Sequence, residues 1–245
     1  MLAQTNLQLY RQLTEAGWDE EGLETVQRAY DLARELFAGC YRPNHKSFIA
    51  HLVGTASALA AWGEPPAMVA AGLLHSAYLY GEFGDGTRGV NRAKRRLLQE
   101  RVGDAVADRV ERYTRSDHLV LQHIGRDTAG AAEFSDRDVV VMRLADMCDE
   151  CQDAGPRYAP VKPLALGLPA DLEARGRLLE LADERVGPIA VSMFTELFRL
   201  YDELQPPDSL VNPDTSFHGL RRRAHGYRRG RLLGLFERVY RRLRK

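Results

Sequence analysis

Two histidines and one aspartate lie in separate apolar stretches of the chain. His51 lies in SFIAHLVGTASALAA, His75 follows 24 positions later in PAMVAAGLLHSAYLY, and Asp146 lies in MRLADMCDE. Neutral imidazole nitrogens and a carboxylate oxygen are suitable ligands for first-row divalent ions. If the three stretches are neighbouring helices, the sequence predicts a site for one divalent cation (Zn, Mn or Fe) at these three residues.

Polar residues of a different kind lie close to the three candidate ligands. Arg42, His45 and Lys46 come just before the His51 helix, and Glu150 follows Asp146 by four positions. Positive charge beside a metal site suits an anionic, phosphorylated ligand, because guanidinium and ammonium groups both bind phosphate. These residues are therefore candidates for substrate binding. The alternative is that the residues before His51 form an ordinary solvated loop.

This set of residues resembles the ligand pattern of the HD-domain metal-dependent phosphohydrolases, a His, a His-Asp pair and a distal Asp. It is most similar to the hydrolase domain of the RelA/SpoT alarmone enzymes, in which an arginine also stands nine positions before the first histidine. The run AAGLLH before position 76 and the phrase RLAD around Asp146 match as well. The similarity spans roughly residues 22–204. It implies an all-α, HD-domain-like helical bundle whose loop before His51 contacts the phosphates and base of the substrate.

The chain departs from that pattern at two places after His75. The His-Asp pair reads His75-Ser76, and the acidic pair that handles the attacking water reads Leu79-Tyr80. A serine hydroxyl is a poor ligand at neutral pH, so the expected centre is mononuclear with two histidines and one carboxylate. Glu150 stands where the alarmone hydrolases have an asparagine, so guanine recognition does not carry over.

Three further residues near His75 are candidates for the site. On a continuous helix, Glu82 lies on the face of His75 two turns on and is a displaced base, or else a solvated glutamate at the helix end. Tyr80 replaces one member of the acidic pair, although a phenol with a pKa near ~10 is a poor base at neutral pH. Tyr78 lies one turn from His75, where it lines the pocket or is an aromatic residue at the core edge.

The elements that must position these residues all show helical periodicity. Asp19 caps a long amphipathic helix, Ser47 or Asn44 caps the His51 helix, and a helix starting at Pro66 carries His75. Further helices are predicted at 2–17, from Asn91 with a break at Gly103, at 135–153 and at 171–204. Residues 155–170 contain four prolines and two glycines and predict an irregular connection. The predicted fold class is all-α.

Composition limits the kind of protein. A hydrophobic content of 44% with 28% charged residues is typical of a soluble globular chain, and no apolar stretch approaches the ~20 residues of a membrane helix. The N-terminal stretch lacks the pattern of a secretory signal, and three cysteines cannot all pair, so we expect a cytoplasmic protein. The Cys148-x-x-Cys151 pair lacks further ligands and predicts two small buried residues.

The charge distribution sets the C-terminal part of the chain apart. Residues from Phe217 onward contain eleven of the 34 Lys and Arg residues but one of the 34 acidic residues, so this tail is near +10 and the rest near −10. We therefore divide the chain into a helical domain, 1–205, and a linker with a basic amphipathic helical tail, 206–245. Such a tail lies on an anionic membrane surface, on nucleic acid phosphates or on the acidic body of its own chain.

The function predicted from these residues is that of an HD-like metal-dependent phosphohydrolase. It would act on a small phosphorylated metabolite or nucleotide, with an altered active centre. The alternative is a catalytically inactive HD-like module that binds a ligand or a protein partner in the same pocket, since both the pair's aspartate and the acidic pair are replaced.

Overall fold

The computed structural model describes residues 1–125, 136–159 and 170–212. Throughout these ranges the regular structure is helical and no strand is present; one isolated antiparallel bridge joins Tyr41 to Ser47. The predicted all-α fold class is confirmed. The described part of the chain also contains no helix long and apolar enough to cross a membrane.

The helices follow one another with short connections. In chain order they are α1 (Asn6–Glu15), α2 (Glu20–Phe37), α3 (Phe48–Ala61), α4 (Pro66–Gly72), α5 (Ala77–Tyr80), α6 (Arg92–Val102), α7 (Asp104–Gly125), α8 (Arg137–Cys151), α9 (Gly155–Tyr158), α10 (Leu172–Arg185) and α11 (Pro188–Glu203). Short 3-10 turns occupy Gln152–Ala154 and Asp208–Leu210. The predicted break at Gly103 separates α6 from α7, where the glycine adopts a φ of 83°.

Side-chain caps fix where several helices begin. Asp19 accepts a hydrogen bond from the backbone N–H of Gly22 at the start of α2, and Asn91 caps α6 in the same way. Of the two residues predicted to cap α3, Ser47 does so, because its hydroxyl accepts the N–H of Ala50. Each cap satisfies a donor that has no partner within the helix.

Helices α3 and α8 form the centre of the bundle and pack closely on each other. Both are buried over most of their length, and α4 and α7 pack against them from the sides. The interior of α8 carries Arg143, Asp146 and Asp149 among its apolar residues. Buried charges in the middle of a helix pair require oppositely charged or hydrogen-bonding partners.

The predicted continuous helix through His75 is wrong. Helix α4 ends at Gly72 and α5 begins at Ala77, so His75 lies in the turn between them. The Nδ1 of His75 lies 2.8 Å from the carbonyl oxygen of Gly72, which would otherwise accept a helical N–H. Helix α5 ends at Tyr80, and Glu82 therefore does not lie on a shared helical face two turns beyond His75.

The last described residue is tied to the body of the protein. The backbone N–H of Asn212 donates to the carbonyl of Tyr158 at 2.7 Å, and its side-chain amide donates to the carbonyl of Pro43 at 2.6 Å. The basic tail and its predicted amphipathic helix lie outside the described residues, as do residues 160–169 of the predicted irregular connection.

Candidate metal centre

The structure brings His51, His75 and Asp146 together at the contact of α3, α8 and the turn after α4. The Nε2 atoms of the two histidines are 3.3 Å apart. Oδ1 of Asp146 lies 3.2 Å from Nε2 of His51 and 3.6 Å from Nε2 of His75. All three side chains are buried. Within the described residues, they form a group whose ligand atoms lie close enough together to hold one metal ion.

The hydrogen bonds on the far side of each imidazole fix its tautomer. Nδ1 of His51 lies 2.8 Å from Oδ2 of Asp149, and Nδ1 of His75 lies 2.8 Å from the carbonyl oxygen of Gly72. A carboxylate and a carbonyl can only accept, so both Nδ1 atoms carry the proton. In the neutral imidazoles, both Nε2 atoms therefore point a lone pair at the centre of the triad formed by His51, His75 and Asp146.

Oδ1 of Asp146 completes a set of three acceptors without a donor. This oxygen is buried, and no described residue gives it a hydrogen bond of acceptable geometry. Three lone pairs at mutual distances of 3.2–3.6 Å repel one another unless a cation or a proton lies between them. Zinc bonds of about 2.0–2.1 Å in a tetrahedron place neighbouring ligand atoms about 3.3–3.4 Å apart. The three distances fit a single divalent cation.

Asp146 is held in place through its second oxygen. Oδ2 accepts from the hydroxyl of Tyr113 at 2.7 Å and from Nη1 of Arg143 at 2.5 Å. Burial alone would raise the pKa of Asp146, but the adjacent positive charge of Arg143 holds it well below its usual value. Burial and the negative charge of Asp146 raise the pKa of Tyr113 well above its usual value, so Tyr113 remains a donor.

Asp149 supports His51 from the other side. Besides the contact with His51, its Oδ1 accepts from Nζ of Lys46 at 2.7 Å and from the amide of Gln4 at 3.1 Å. Burial opposes ionisation, but the bonds from His51 and Lys46 keep the pKa of Asp149 below its usual value. Its carboxylate crosses the surface of α3 at Gly54, where a side chain would collide with it.

Arg42 and Glu150 form a second buried ion pair beside the triad. Nη2 of Arg42 donates to Oε1 of Glu150, while Oε2 of Glu150 lies 3.9 Å from Nη2 of Arg143. Burial disfavours the charge of Arg42, but Glu150, Asp146 and Asp149 raise its pKa, so it stays protonated. Around the two histidines, this cluster thus contains three basic side chains (Arg42, Lys46 and Arg143) and three acidic ones (Asp146, Asp149 and Glu150). A divalent cation added to this balance leaves a positive excess that favours an anionic ligand.

A groove of about 370 Å³ opens beside the cluster. Apart from Gly155, its lining residues have polar side chains, and they come from the N-terminal segment, the loop before α3, the turn after α8 and the short helix α9: Gln4, Asn44, His45, Lys46, Gln152, Asp153, Gly155 and Tyr158. His45 is exposed at the groove with a φ of 63°, an unusual conformation for a residue other than glycine. The structure therefore brings the predicted substrate-binding residues Arg42, Lys46 and Glu150 to the triad and places His45 at the groove.

The other predicted site residues have different surroundings. Tyr78 does not join the triad, because its ring stacks on Phe83 and its hydroxyl is buried without a hydrogen-bond partner among the described residues. The ring of Tyr80 lies 5.7 Å from that of Phe48, and burial raises the pKa of its hydroxyl. Glu82 follows the end of α5, and its backbone N–H donates to the carbonyl of Leu36.

Sequence reasoning missed several residues of the cluster. Arg143 and Asp149 lie three positions before and after Asp146, a helical spacing that identifies neighbours on one face. Tyr113 comes from α7, and only the tertiary packing shows that it contacts Asp146. Asp117 follows Tyr113 by one turn. Burial and the negative charge of Asp146 raise the pKa of its carboxyl, although Arg143 opposes this.

The two cysteines near Asp146 do not take part in the cluster. Cys148 and Cys151 are free and buried, as predicted for two small core residues. Burial raises the pKa of both thiols, which leaves them protonated and poorly reactive.

Comparison with known proteins gives one family match. Residues 32–118 match the family described as Domain of unknown function (DUF6817). The matched stretch contains Arg42, Lys46, His51, His75 and Tyr113, and ends before Asp146 and its neighbours on α8. No curated protein matches the chain. The similarity therefore covers two of the three candidate metal ligands and reaches a family whose description gives no activity.

Proposed function

We propose that this protein is a metal-dependent phosphohydrolase of the HD-like type, with one divalent cation (Zn, Mn or Fe) held by His51, His75 and Asp146. Its substrate is a small phosphorylated metabolite or nucleotide. The observation that supports the proposal is that Nε2 of His51, Nε2 of His75 and Oδ1 of Asp146 lie 3.2–3.6 Å from one another in a buried site, while both Nδ1 atoms face acceptor oxygens. We also place the protein in the cytoplasm, because its three cysteines cannot all pair with one another.

The residues of the chain have separate roles in this proposal. A bound cation supplies Lewis acidity, which polarises a phosphoryl oxygen and lowers the pKa of water. Arg42 and Lys46 attract the phosphate and lie beside the triad rather than in it. Tyr113 and Arg143 keep Asp146 oriented with Oδ1 towards the two histidines. The groove beside Lys46 accommodates the polar remainder of the ligand.

A second function, binding without turnover, is favoured by the residues after His75. Leu79 cannot transfer a proton. Burial raises the pKa of Tyr80, so its hydroxyl stays protonated at neutral pH and cannot act as the general base. Such a module would bind the same phosphorylated ligands and release them unchanged. Ligand binding would then raise the unfolding temperature as ligand concentration increases.

Metal analysis tests the first proposal. Protein purified without chelators, or stripped and reconstituted, should contain about one equivalent of a transition metal. His51→Ala and His75→Ala should each lose that metal, whereas His118→Ala, a change at an exposed histidine of α7, should retain it. Occupancy of the wild-type protein below about a tenth of an equivalent after reconstitution would contradict the proposed centre.

Product analysis then separates the two functions. The metal-loaded protein is incubated with nucleoside monophosphates, nucleoside diphosphates and sugar phosphates, and release of inorganic phosphate or pyrophosphate is measured. Turnover that is lost in His75→Ala supports the hydrolase. Compounds that raise the unfolding temperature but are recovered intact support the binding module instead.

A further inference from the structure

We propose that Asp149 is a positioning residue that fixes the tautomer of His51, and that Gln4 and Lys46 hold Asp149 in this role. The inference deepens the proposed function and rests on it, because it concerns how the same centre is kept ready for a cation. Among the described residues, the side-chain partners of Asp149 are His51, Lys46 and Gln4, and of these only His51 is a candidate ligand.

The support of Asp149 comes from three separate parts of the chain. His51 on α3, Lys46 in the loop before it and Gln4 before α1 all contact the carboxylate, at 2.8, 2.7 and 3.1 Å. The side chain of Asp149 is 1% exposed, so water does not replace these partners. A buried carboxylate with three directed contacts has one stable orientation.

Gln4 is itself fixed by its neighbours in the N-terminal segment. The backbone N–H of Leu2 donates to Oε1 of Gln152 at 3.0 Å, and that of Ala3 donates to the hydroxyl of Ser57 at 2.9 Å. These bonds attach residues 2 and 3, directly before Gln4, to the turn after α8 and to α3. The N-terminal segment therefore contributes to the support of the candidate metal centre.

The tautomer matters because His51 has two acceptors within reach. Oδ2 of Asp149 lies 2.8 Å from Nδ1, and Oδ1 of Asp146 lies 3.2 Å from Nε2. If the imidazole proton moved to Nε2, it would bond to Asp146 and block the lone pair that binds the cation. Asp149 offers the closer acceptor and keeps the proton on Nδ1, an arrangement that also makes Nε2 a better donor to metal.

The two histidines differ in this respect. Nδ1 of His75 donates to the neutral carbonyl of Gly72, whereas Nδ1 of His51 donates to a charged carboxylate. Removal of Asp149 should therefore change His51 and leave His75 as it is. His75 is an internal control in any experiment that observes both rings.

The first test measures the tautomers by nitrogen NMR on metal-free protein with labelled histidines. In the wild type, both rings should be protonated at Nδ1. In Asp149→Ala, the proton of His51 should move to Nε2 while His75 keeps its Nδ1 proton. A wild-type His51 protonated at Nε2, or a His51 unchanged in Asp149→Ala, would overturn the inference.

The second test measures metal affinity by competition with a chelator. Asp149→Ala should bind Zn²⁺ about 10–100-fold more weakly than the wild type, the usual effect of losing such a partner. Glu64→Gln is the matched control, because Glu64 is also a buried carboxylate in an ion pair, with Arg137, and it touches none of the three candidate ligands. Equal affinity of the wild type and Asp149→Ala would overturn the inference and leave the proposed function standing.

A milder variant covers the case in which Asp149→Ala does not fold. Asp149→Asn keeps an oxygen for His51 but turns an N–H₂ group towards Lys46 and Gln4, which are both donors. The double variant Asp149→Asn with Lys46→Met removes one of these conflicts and should recover part of the lost affinity.

If the wild type binds no metal but shows the expected tautomers, the proposed function fails while the role of Asp149 is retained.

Discussion

A methyl group on Gly54 would lie 1.7 Å from Oδ1 of Asp149. The two residues belong to α3 and α8, the central helix pair, and Gly54 lies one turn after His51 on α3. The carboxylate passes over Gly54 to reach His51, Lys46 and Gln4. The absence of a side chain at Gly54 is therefore a condition for the support of His51.

Gly54→Ala is expected to affect both folding and metal binding. The added carbon forces Asp149 or the helix pair to move, which should lower the free energy of unfolding by about 1–3 kcal/mol. The same movement should weaken metal binding. Urea unfolding and chelator competition measure the two effects.

The control for this change is Gly176→Ala on α10. Gly176 is exposed, and a carbon added there meets no atom within 4 Å. Alanine should raise the free energy of unfolding by about 0.5–1 kcal/mol at that helical position. A Gly54→Ala protein as stable as the wild type with full metal affinity would show that Asp149 is not held as described.

Tyr113→Phe tests the other carboxylate. Loss of the hydroxyl leaves Oδ2 of Asp146 with Arg143 alone and should lower metal affinity about tenfold. The free energy of unfolding should fall by about 1.5–3 kcal/mol, since the lost bond is to a charged group. Tyr30→Phe on α2 is a control. Unchanged affinity in Tyr113→Phe would mean that Arg143 orients Asp146 without help.

Tyr78→Phe should stabilise the protein. The hydroxyl of Tyr78 is buried without a partner among the described residues, so its removal should raise the free energy of unfolding by about 1 kcal/mol at neutral pH. Because Tyr78 lies away from the triad, metal affinity should stay the same. A loss of stability would indicate that the hydroxyl has a partner, and a loss of metal affinity would restore the prediction that Tyr78 lines the pocket.

The same variant has a defined pH dependence. Burial raises the pKa of Tyr78 from 10.0 to about 12. Above pH 10 the tyrosine ionises in the unfolded chain but not in the folded one, so the wild type loses stability as the pH rises to about 12. Phenylalanine does not titrate. The stability difference in favour of Tyr78→Phe should therefore widen between pH 10 and about 12, as measured by urea unfolding.

Periodicity and capping residues were sufficient to predict most helices. Asp19, Ser47 and Asn91 begin α2, α3 and α6 by accepting local N–H groups, and such contacts are encoded within a few residues. The turn at His75 is different, because AAGLLHSAYLY has no proline and reads as a continuous helix. The helix is interrupted where His75 bonds to the Gly72 carbonyl and contacts His51 and Asp146, which are distant in the chain.

The triad followed from spacing and family resemblance, whereas its supports did not. Asp149 could have been recognised, because a second acid three positions after Asp146 lies on the same face of α8. Tyr113 could not, since its bond to Asp146 depends on how α7 packs against α8. Gln4 likewise reaches Asp149 across 145 positions, and no local pattern indicates that contact.

Truncation after Asp214 tests the basic tail. The body should keep cooperative unfolding and metal affinity, because the triad and its supports all lie within residues 4–150. If the tail binds anionic surfaces, each basic residue near a charged lipid surface contributes about 1 kcal/mol. The full chain should then bind anionic vesicles or nucleic acid in a way that weakens steeply with salt. The truncated protein should not bind them. If it packs on the acidic body, the melting temperature should fall by several degrees instead. No change in either measurement would contradict both roles.

The two hydrogen bonds of Asn212 fix the last described residue of the chain beside the groove. One ends on the carbonyl of Tyr158, which lines the groove, and the other on Pro43, next to the groove residue Asn44. If the residues after Asn212 bind a polyanion, their covalent connection to Asn212 limits how far that polyanion can lie from the groove. Tethering replaces bulk concentration by an effective concentration, which reaches the millimolar range for short connections. A weak intrinsic affinity of the groove would then be sufficient for ligands delivered by the tail.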